Sequence, residues 1–186
     1  MKRSVDLLLG IGATLVLGLP IFLVGLMVRA TSRGPALYWS NRVGRNNHTF
    51  AMPKFRTMRV DTPTVATHLL HNPQSYLTPI GSFLRKSSLD ELPQLLSILR
   101  GDMSFVGPRP ALFNQQDLIN LRTQYGVHQL VPGLTGWAQV NGRDEIPIPK
   151  KVELDVEYLK RRSVMFDFKI LILTFAKVLR RANVAH

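Results

Sequence analysis

Hydrophobic and polar positions along this chain fall into blocks of different period, and each block predicts a different element. Residues 7–28 carry no charge, and at the helical rise they span about 33 Å, enough to cross the hydrocarbon core of a bilayer. Pro20 divides the run into 7–19 and 21–28, each shorter than the roughly 20 residues a crossing needs. Lys2 and Arg3 precede the run, Arg29 and Arg33 follow it, and basic flanks favour the cytoplasmic side at both ends. Two anchors satisfy this pattern: a helix broken at Pro20 that enters and leaves by one face, and a spanning helix, where proline is also tolerated. The broken form must satisfy the backbone groups that proline frees, and the Thr14 hydroxyl is a candidate. No small-x-small site follows the run, so a cleaved signal peptide is not expected.

After a Gly34-Pro35 turn, apolar residues 36–39 and 49–52 flank a polar stretch, 45–48, and predict a hairpin. Its Tyr38 and Trp39 suit headgroup depth or burial in a small core equally. Alternation puts Lys54 and Arg56 on one side of the following extended segment, with Phe55 opposite. Residues 61–79 are polar, contain Pro63, Pro73 and Pro79, and predict a loop with one helical turn. His68 and His71 lie in it without a carboxylate or cysteine at matching spacing, so surface histidines are expected rather than a zinc site.

Leu89, Leu92, Leu96 and Leu99 recur at helical spacing and predict a helix over 89–99 with one buried face. Leu118, Leu121 and Tyr125 predict a short helix that ends at Gly126 and packs on it. Residues 132–143, PGLTGWAQVNGR, demand turns and predict a rigid irregular loop of the kind that lets a backbone approach a ligand. Trp137 there is a base- or sugar-stacking candidate, though a packing anchor is the commoner use of such a ring. Val152, Val156 and Leu159 form one helical stripe. Phe168, Leu171, Ile172, Phe175, Val178 and Leu179 form another, flanked by Lys169, Lys177, Arg180 and Arg181, as in a helix lying in the headgroup layer. The sum is an α+β, mainly helical chain: a membrane anchor over 1–33 and one compact interfacial domain with a small β-hairpin over 34–186.

Candidate chemistry concentrates in residues 82–110. Ser88 and Glu91 have capping-box spacing, with Pro93 as a complication. Asp90 and Glu91 are set at the amino end of the predicted helix, where free amides and the helix dipole favour negative charge. Arg85 and Lys86 precede the pair; Arg100 and Arg109 follow, the latter stiffened between Pro108 and Pro110. Carboxylates beside converging arginines suit a phosphate-handling site, in which guanidinium forks bind the anion and a carboxylate attacks phosphorus or holds a metal. The same parts would also make an internal salt-bridge network. Charge sharpens the picture without deciding it: 24 basic against 12 acidic side chains leave +12, which calls for an anionic partner, whether nucleic acid, lipid headgroup or phosphorylated substrate. The absence of cysteine excludes disulfide scaffolds and thiolate metal sites.

The words SSLDELPQLLSILRGDMSFVGPRP, KFRTM at 54–58 and PGLTGWAQVNGR at 132–143, in this order, closely resemble those of the bacterial sugar transferases, the monotopic polyprenyl-phosphate phosphoglycosyl transferases. The resemblance implies transfer of a sugar 1-phosphate, with an N-acetylated hexosamine derivative as the expected sugar, from a UDP-sugar to undecaprenyl phosphate, with release of UMP. It implies Asp90 as the nucleophile, Glu91 as its companion, and Mg2+ held by Asp90 and Glu91. Arg85, Arg109, Lys54, Arg56 and Arg143 become phosphate-binding candidates. It also implies a re-entrant anchor broken at Pro20, a place on the cytoplasmic face of the bacterial inner membrane among anionic lipids, and room for a homodimer. Longer members carry membrane helices in front, so a minimal catalytic form is expected. No nucleic-acid partner is expected, because no nucleic-acid module is recognisable; a membrane-tethered basic nucleic-acid binder and a noncatalytic membrane scaffold are the rival readings.

Overall fold

The computed structural model describes residues 2–63, 71–142 and 146–184. The uncharged N-terminal run folds as one helix, α1 (Lys2–Thr31), which continues through Pro20. The expected helix-break-helix is therefore corrected: proline at 20 removes one intrahelical bond, to the Val16 carbonyl, and the neighbouring turns carry the helix past it. Thr14 does not repair the loss, since its hydroxyl bonds the Gly10 carbonyl at 2.7 Å.

One face of α1 lies along the rest of the protein from end to end. Near its start Lys2 pairs with Asp167, Arg3 donates to the Ile98 and Leu99 carbonyls, and buried Asp6 accepts from the Ser104 hydroxyl (2.9 Å) and Phe105 amide (3.1 Å). Gly10 lets Leu99 close in: a Cβ there would stand 3.0 Å from the Leu99 side chain. Ala13, Leu17, Ile21, Val24 and Val28 continue the face into two apolar clusters. The opposite face, with Leu8, Leu15, Val16, Leu19 and Phe22, is bare.

The predicted hairpin forms from β1 (Leu37–Val43) and β2 (Thr49–Phe55), paired in register from Leu37–Phe55 to Val43–Thr49. Its turn takes positive φ at Asn46 and Asn47, which asparagine tolerates. After a 3-10 turn over Pro73–Tyr76 comes α2 (Gly81–Ser87). His68 lies outside the described residues, His71 is exposed, and no group of three candidate ligands occurs among the described residues.

The single helix expected over 89–99 is two elements: a 3-10 turn, Leu89–Gln94, and α3 (Leu95–Arg100). Pro93 cannot donate an α-helical bond, and the tighter turn changes the phase of the leucine stripe. Leu89 and Leu92, one 3-10 turn apart, pack together against Phe55 and Leu84, whereas Leu95 and Ile98 become the buried pair of α3 and Leu96 turns outward.

Strand β3 (Ser104–Val106) runs parallel to β5 (Gly133–Thr135), and β4 (Ala111–Leu112) adds to the free edge of β1. Helix α4 (Gln116–Gln124) precedes Gly126 as expected, but packs chiefly on α6 (Ile148–Arg161) rather than on the turn at Leu89. Short α5 (Trp137–Val140) sits under α6 and α7 (Val164–Val184). In α7 the stripe read from the sequence as a headgroup-layer face is mostly the outward one, apart from Leu171, which packs against the core. Phe166 and Ile170, with Leu173, enter the core, while Phe168, Ile172 and Phe175 face outward.

Candidate active site

The 3-10 turn at Leu89 is entered through Ser88, a non-glycine residue at φ 59°. This left-handed step reverses the chain between α2 and the turn. The Ser88 side chain caps nothing, so the expected capping box is not formed. Glu91 faces elsewhere: its Oε1 accepts Lys54 Nζ at 2.9 Å and Arg109 Nη2 at 3.2 Å. Hairpin, turn and β3–β4 loop thus meet at one carboxylate oxygen.

Asp90 is 8% exposed. Among the described residues no hydrogen bond or ion pair engages its carboxylate, although Lys54, Arg85 and Arg109 are all close enough to act on its charge. Burial pushes the Asp90 carboxyl above its ordinary range and the adjacent Glu91 charge adds to this, against the pull of Lys54, Arg85 and Arg109. Burial works the same way on Glu91, but Arg109 and Lys54, through charge and direct bonds, overcome it and hold that carboxyl at about 2. Burial lowers the Lys54 ammonium, which Glu91 partly restores. Two neighbouring carboxylates are therefore unlike: Glu91 is spent on organising cations, and Asp90 is uncommitted. Gln94, one 3-10 turn beyond Glu91, is buried with its Nε2 lacking a protein acceptor.

Arg85 is exposed and steadied by its Nε–Thr57 hydroxyl bond of 2.9 Å. Arg109 is set by more than its flanking prolines. Its carbonyl accepts Arg122 Nη1 at 2.8 Å, and the Nε and Nη2 of the same guanidinium grip Asp155 Oδ2 at 2.9 and 2.7 Å. The other support is glycine. Gly107 donates to the Thr135 carbonyl and Gly133 to the Pro108 carbonyl, both at 2.9 Å. A Cβ on Gly136 would meet the Gly107 carbonyl oxygen at 2.1 Å. The PGLTG loop, expected to approach a ligand, presses its backbone against the strand that delivers Arg109.

Arg56 is not brought to the carboxylates. Its guanidinium is buried and donates to the carbonyls of Ser32, Arg33 and Pro35 and to the Ser32 hydroxyl, tying β2 to the chain leaving α1. Alternation alone would have aimed it with Lys54, but β2 ends at Phe55 and the chain turns. Trp137 is a packing anchor, its ring centroid 5.1 Å from that of Phe166 and its Nε1 donating to Glu157 at 2.8 Å. Asn141 bonds the Trp137 carbonyl as a turn residue. Asp102 stays in the turn after α3. Pro20 stands within α1, and Arg143 lies outside the described residues. Arg122, Asp155 and the glycine contact were missed by sequence reasoning. Only the helical register of Leu118 and Val152, which places Arg122 and Asp155 beside a buried stripe, hinted at the ion pair.

Comparison with known proteins fits this arrangement. The model of the bacterial sugar transferases matches residues 1–181. A UDP-glucose:undecaprenyl-phosphate glucose-1-phosphate transferase of Escherichia coli K12 is 38% identical over 185 residues, covering 95% of this chain and 40% of that protein. A galactosyl transferase of Streptococcus agalactiae is 41% identical, covering 96% of this chain and 42% of its own length. An uncharacterized sugar transferase of Bacillus subtilis is 41% identical, covering 96% and 87%. The chain thus spans about two fifths of the first two relatives and most of the third. Matched over nearly all its length, the chain belongs to the bacterial sugar transferase family.

Proposed function

We propose that the protein transfers a sugar 1-phosphate from a UDP-sugar to a membrane polyprenyl phosphate, such as undecaprenyl phosphate, through a phosphosugar carried on Asp90. The observation that supports this reading is the contrast at the turn: a buried aspartate that no hydrogen bond or ion pair engages among the described residues, beside Lys54, Arg85 and Arg109. A carboxylate is a weak nucleophile facing an anionic diphosphate, so fixed cations that neutralise the phosphates matter more than its basicity. An Asp90 oxygen bonds to the β-phosphorus while the bond from that phosphorus to the bridging oxygen breaks, and UMP leaves with the electron pair. An oxygen of the lipid phosphate then bonds to the same phosphorus and Asp90 departs as a free carboxylate. Both steps balance without an added proton.

Glu91 holds Lys54 and Arg109 in place for the phosphates. Mg2+ fits the donor set, since Asp90 offers oxygens that no donor among the described residues takes and Lys54 and Arg109 engage Glu91 at Oε1. Bound by Asp90 and Glu91, the ion would supply charge neutralisation to the diphosphate. The relatives' names specify glucose 1-phosphate and galactosyl transfer, so both sugars stand beside an N-acetylated hexosamine as donor candidates for this first membrane step of glycoconjugate assembly.

The bare apolar faces of α1 and α7 suit burial in lipid, and the basic excess suits anionic headgroups of the plasma membrane's cytoplasmic leaflet. Both ends of α1 hold the same domain, through Lys2 and Asp6 at one end and Arg29, which donates to the Gly34 carbonyl at 2.8 Å, at the other. This supports an anchor with both ends on one side. Single cysteines at Ser4 and Arg33 should then label from the same side of sealed vesicles; labelling from opposite sides overturns the one-sided anchor. For the chemistry, the protein in lipid nanodiscs with Mg2+ and a panel of UDP-sugars should release UMP and show a phosphosugar adduct on Asp90 by mass spectrometry. Normal turnover by Asp90→Asn would remove the covalent step.

A further inference from the structure

Beside the carboxylate and cation cluster, the hairpin edge forms a groove of about 220 Å3 between Tyr38, Trp39 and Asn41 on one side and Leu112, Phe113 and Asn114 on the other. We propose that this groove holds the pyrimidine base of the nucleotide donor. The proposal rests on the transfer reaction above and adds the site that recognises the donor's nucleoside end.

The groove exists because β4 pairs with β1 only at Arg42–Leu112 and Val43–Ala111 and then departs at Phe113. The amide of Arg56 bonds the Ala36 carbonyl at 2.9 Å, which fixes the phase of the β1–β2 ladder: positions 36, 38, 40 and 42 turn their main-chain groups toward β2. Pro53, which has no N–H, accordingly stands opposite Trp39. Trp39 therefore presents N–H and C=O side by side to the groove, and among the described residues no strand pairs with it on this side; the Asn41 carbonyl is taken by the Phe113 amide where β4 ends, as the Arg42–Leu112 pairing requires. A donor and acceptor adjacent on one strand residue match the carbonyl and N3–H of a uracil edge, as main-chain recognition of base edges requires.

The side chains supply the second half. Tyr38 and Trp39, on opposite faces of β1, and Phe113 across the groove are each nearly half exposed, aromatic rings flanking the strand edge against which a planar ring can stack. The volume suits one ring and is below that of pockets for larger ligands, which disfavours a polyprenyl chain. Position then connects groove to chemistry. Tyr38 is the cross-strand partner of Lys54, so both side chains share a face of the hairpin, and Lys54 meets Arg109 at Glu91. Leu112 is three residues beyond Arg109. Phosphates held by Lys54 and Arg109 thus place a nucleoside within reach of the groove.

The test is equilibrium binding of UMP, N3-methyl-UMP and inorganic pyrophosphate to the full chain in nanodiscs, for the wild type and for Trp39→Ala, Tyr38→Ala and Phe113→Ala. Loss of one stacking partner should weaken UMP roughly ten- to a hundredfold and leave pyrophosphate unchanged. On the unaltered protein, N3-methylation should weaken UMP by tenfold or more, a readout that needs no variant to fold. UMP and N3-methyl-UMP binding alike, with UMP indifferent to all three substitutions, would overturn the groove while leaving the transfer reading standing. Loss of UDP-sugar affinity with UMP unchanged would reassign the groove to the sugar, and loss of vesicle binding alone would reassign it to lipid; either overturns the proposal. A wild type that binds neither UMP nor UDP-sugar would remove the donor reading itself.

Discussion

Asp90 and Asp155 are both buried, at 8% and 1% exposure, and burial raises both carboxyls. Their surroundings differ in one respect. Asp155 receives two bonds from Arg122, whose third contact is the Arg109 carbonyl, so that charge is matched and its function is to hold a neighbour still. Among the described residues Asp90 receives no direct bond, while three cations stand near it. A matched buried pair is architecture; a buried carboxylate left without a partner costs stability and persists where chemistry uses it.

The comparison breaks first at Asp90→Asn. Sugar-phosphate transfer should fall by about a thousandfold or more, while the thermal midpoint holds or rises, because the amide keeps the shape and removes an unpaired charge. A drop in the midpoint with residual turnover would make Asp90 structural. Asp155→Asn should do the reverse, costing about 3–5 kcal/mol of unfolding free energy by stranding Arg122. Arg122→Met combined with Asp155→Leu should recover most of that stability, yet leave transfer impaired because the Arg109 carbonyl loses its donor. Full recovery of both would remove Arg122 from the site.

Glu91 supplies the pH dependence. Its carboxyl is held at about 2 against an ordinary 4.5, so its stabilisation is complete above about pH 4.5 and disappears as pH falls toward 2, about 3 kcal/mol in all. Asp90 works oppositely, its raised carboxyl costing stability as pH climbs above 3.8. Acid titration of the unfolding midpoint should therefore lose its steepest acid limb in Glu91→Gln and keep it in Asp90→Asn. The smallest effect is expected at Gly136→Ala, where a methyl 2.1 Å from the Gly107 carbonyl oxygen forces β5 from β3 at about 1–3 kcal/mol. Transfer should fall further than stability, through displaced Arg109.

Most of the site was legible because its chemistry sits in short words. Asp90, Glu91, Arg85 and Arg109 were named from charge and spacing and Lys54 through the family resemblance, and the structure gathers all five. Arg56 was misplaced because a period of two holds only while the strand lasts. The hairpin was legible from its two apolar pieces; the 3-10 turn was not, since leucines at 89, 92, 96 and 99 fit either helix until Pro93 fixes which bonds can form.

The sequence by itself determined the local quantities: which segments are helical or extended, where the charges lie, and that α1 and α7 own apolar faces. Only the tertiary structure decided which face of α7 enters the core, that Arg122 would meet Asp155 33 residues away, and that three glycines would let two loops touch. Periodicity is a property of one segment, whereas burial and pairing are properties of two, and the second partner is chosen by packing.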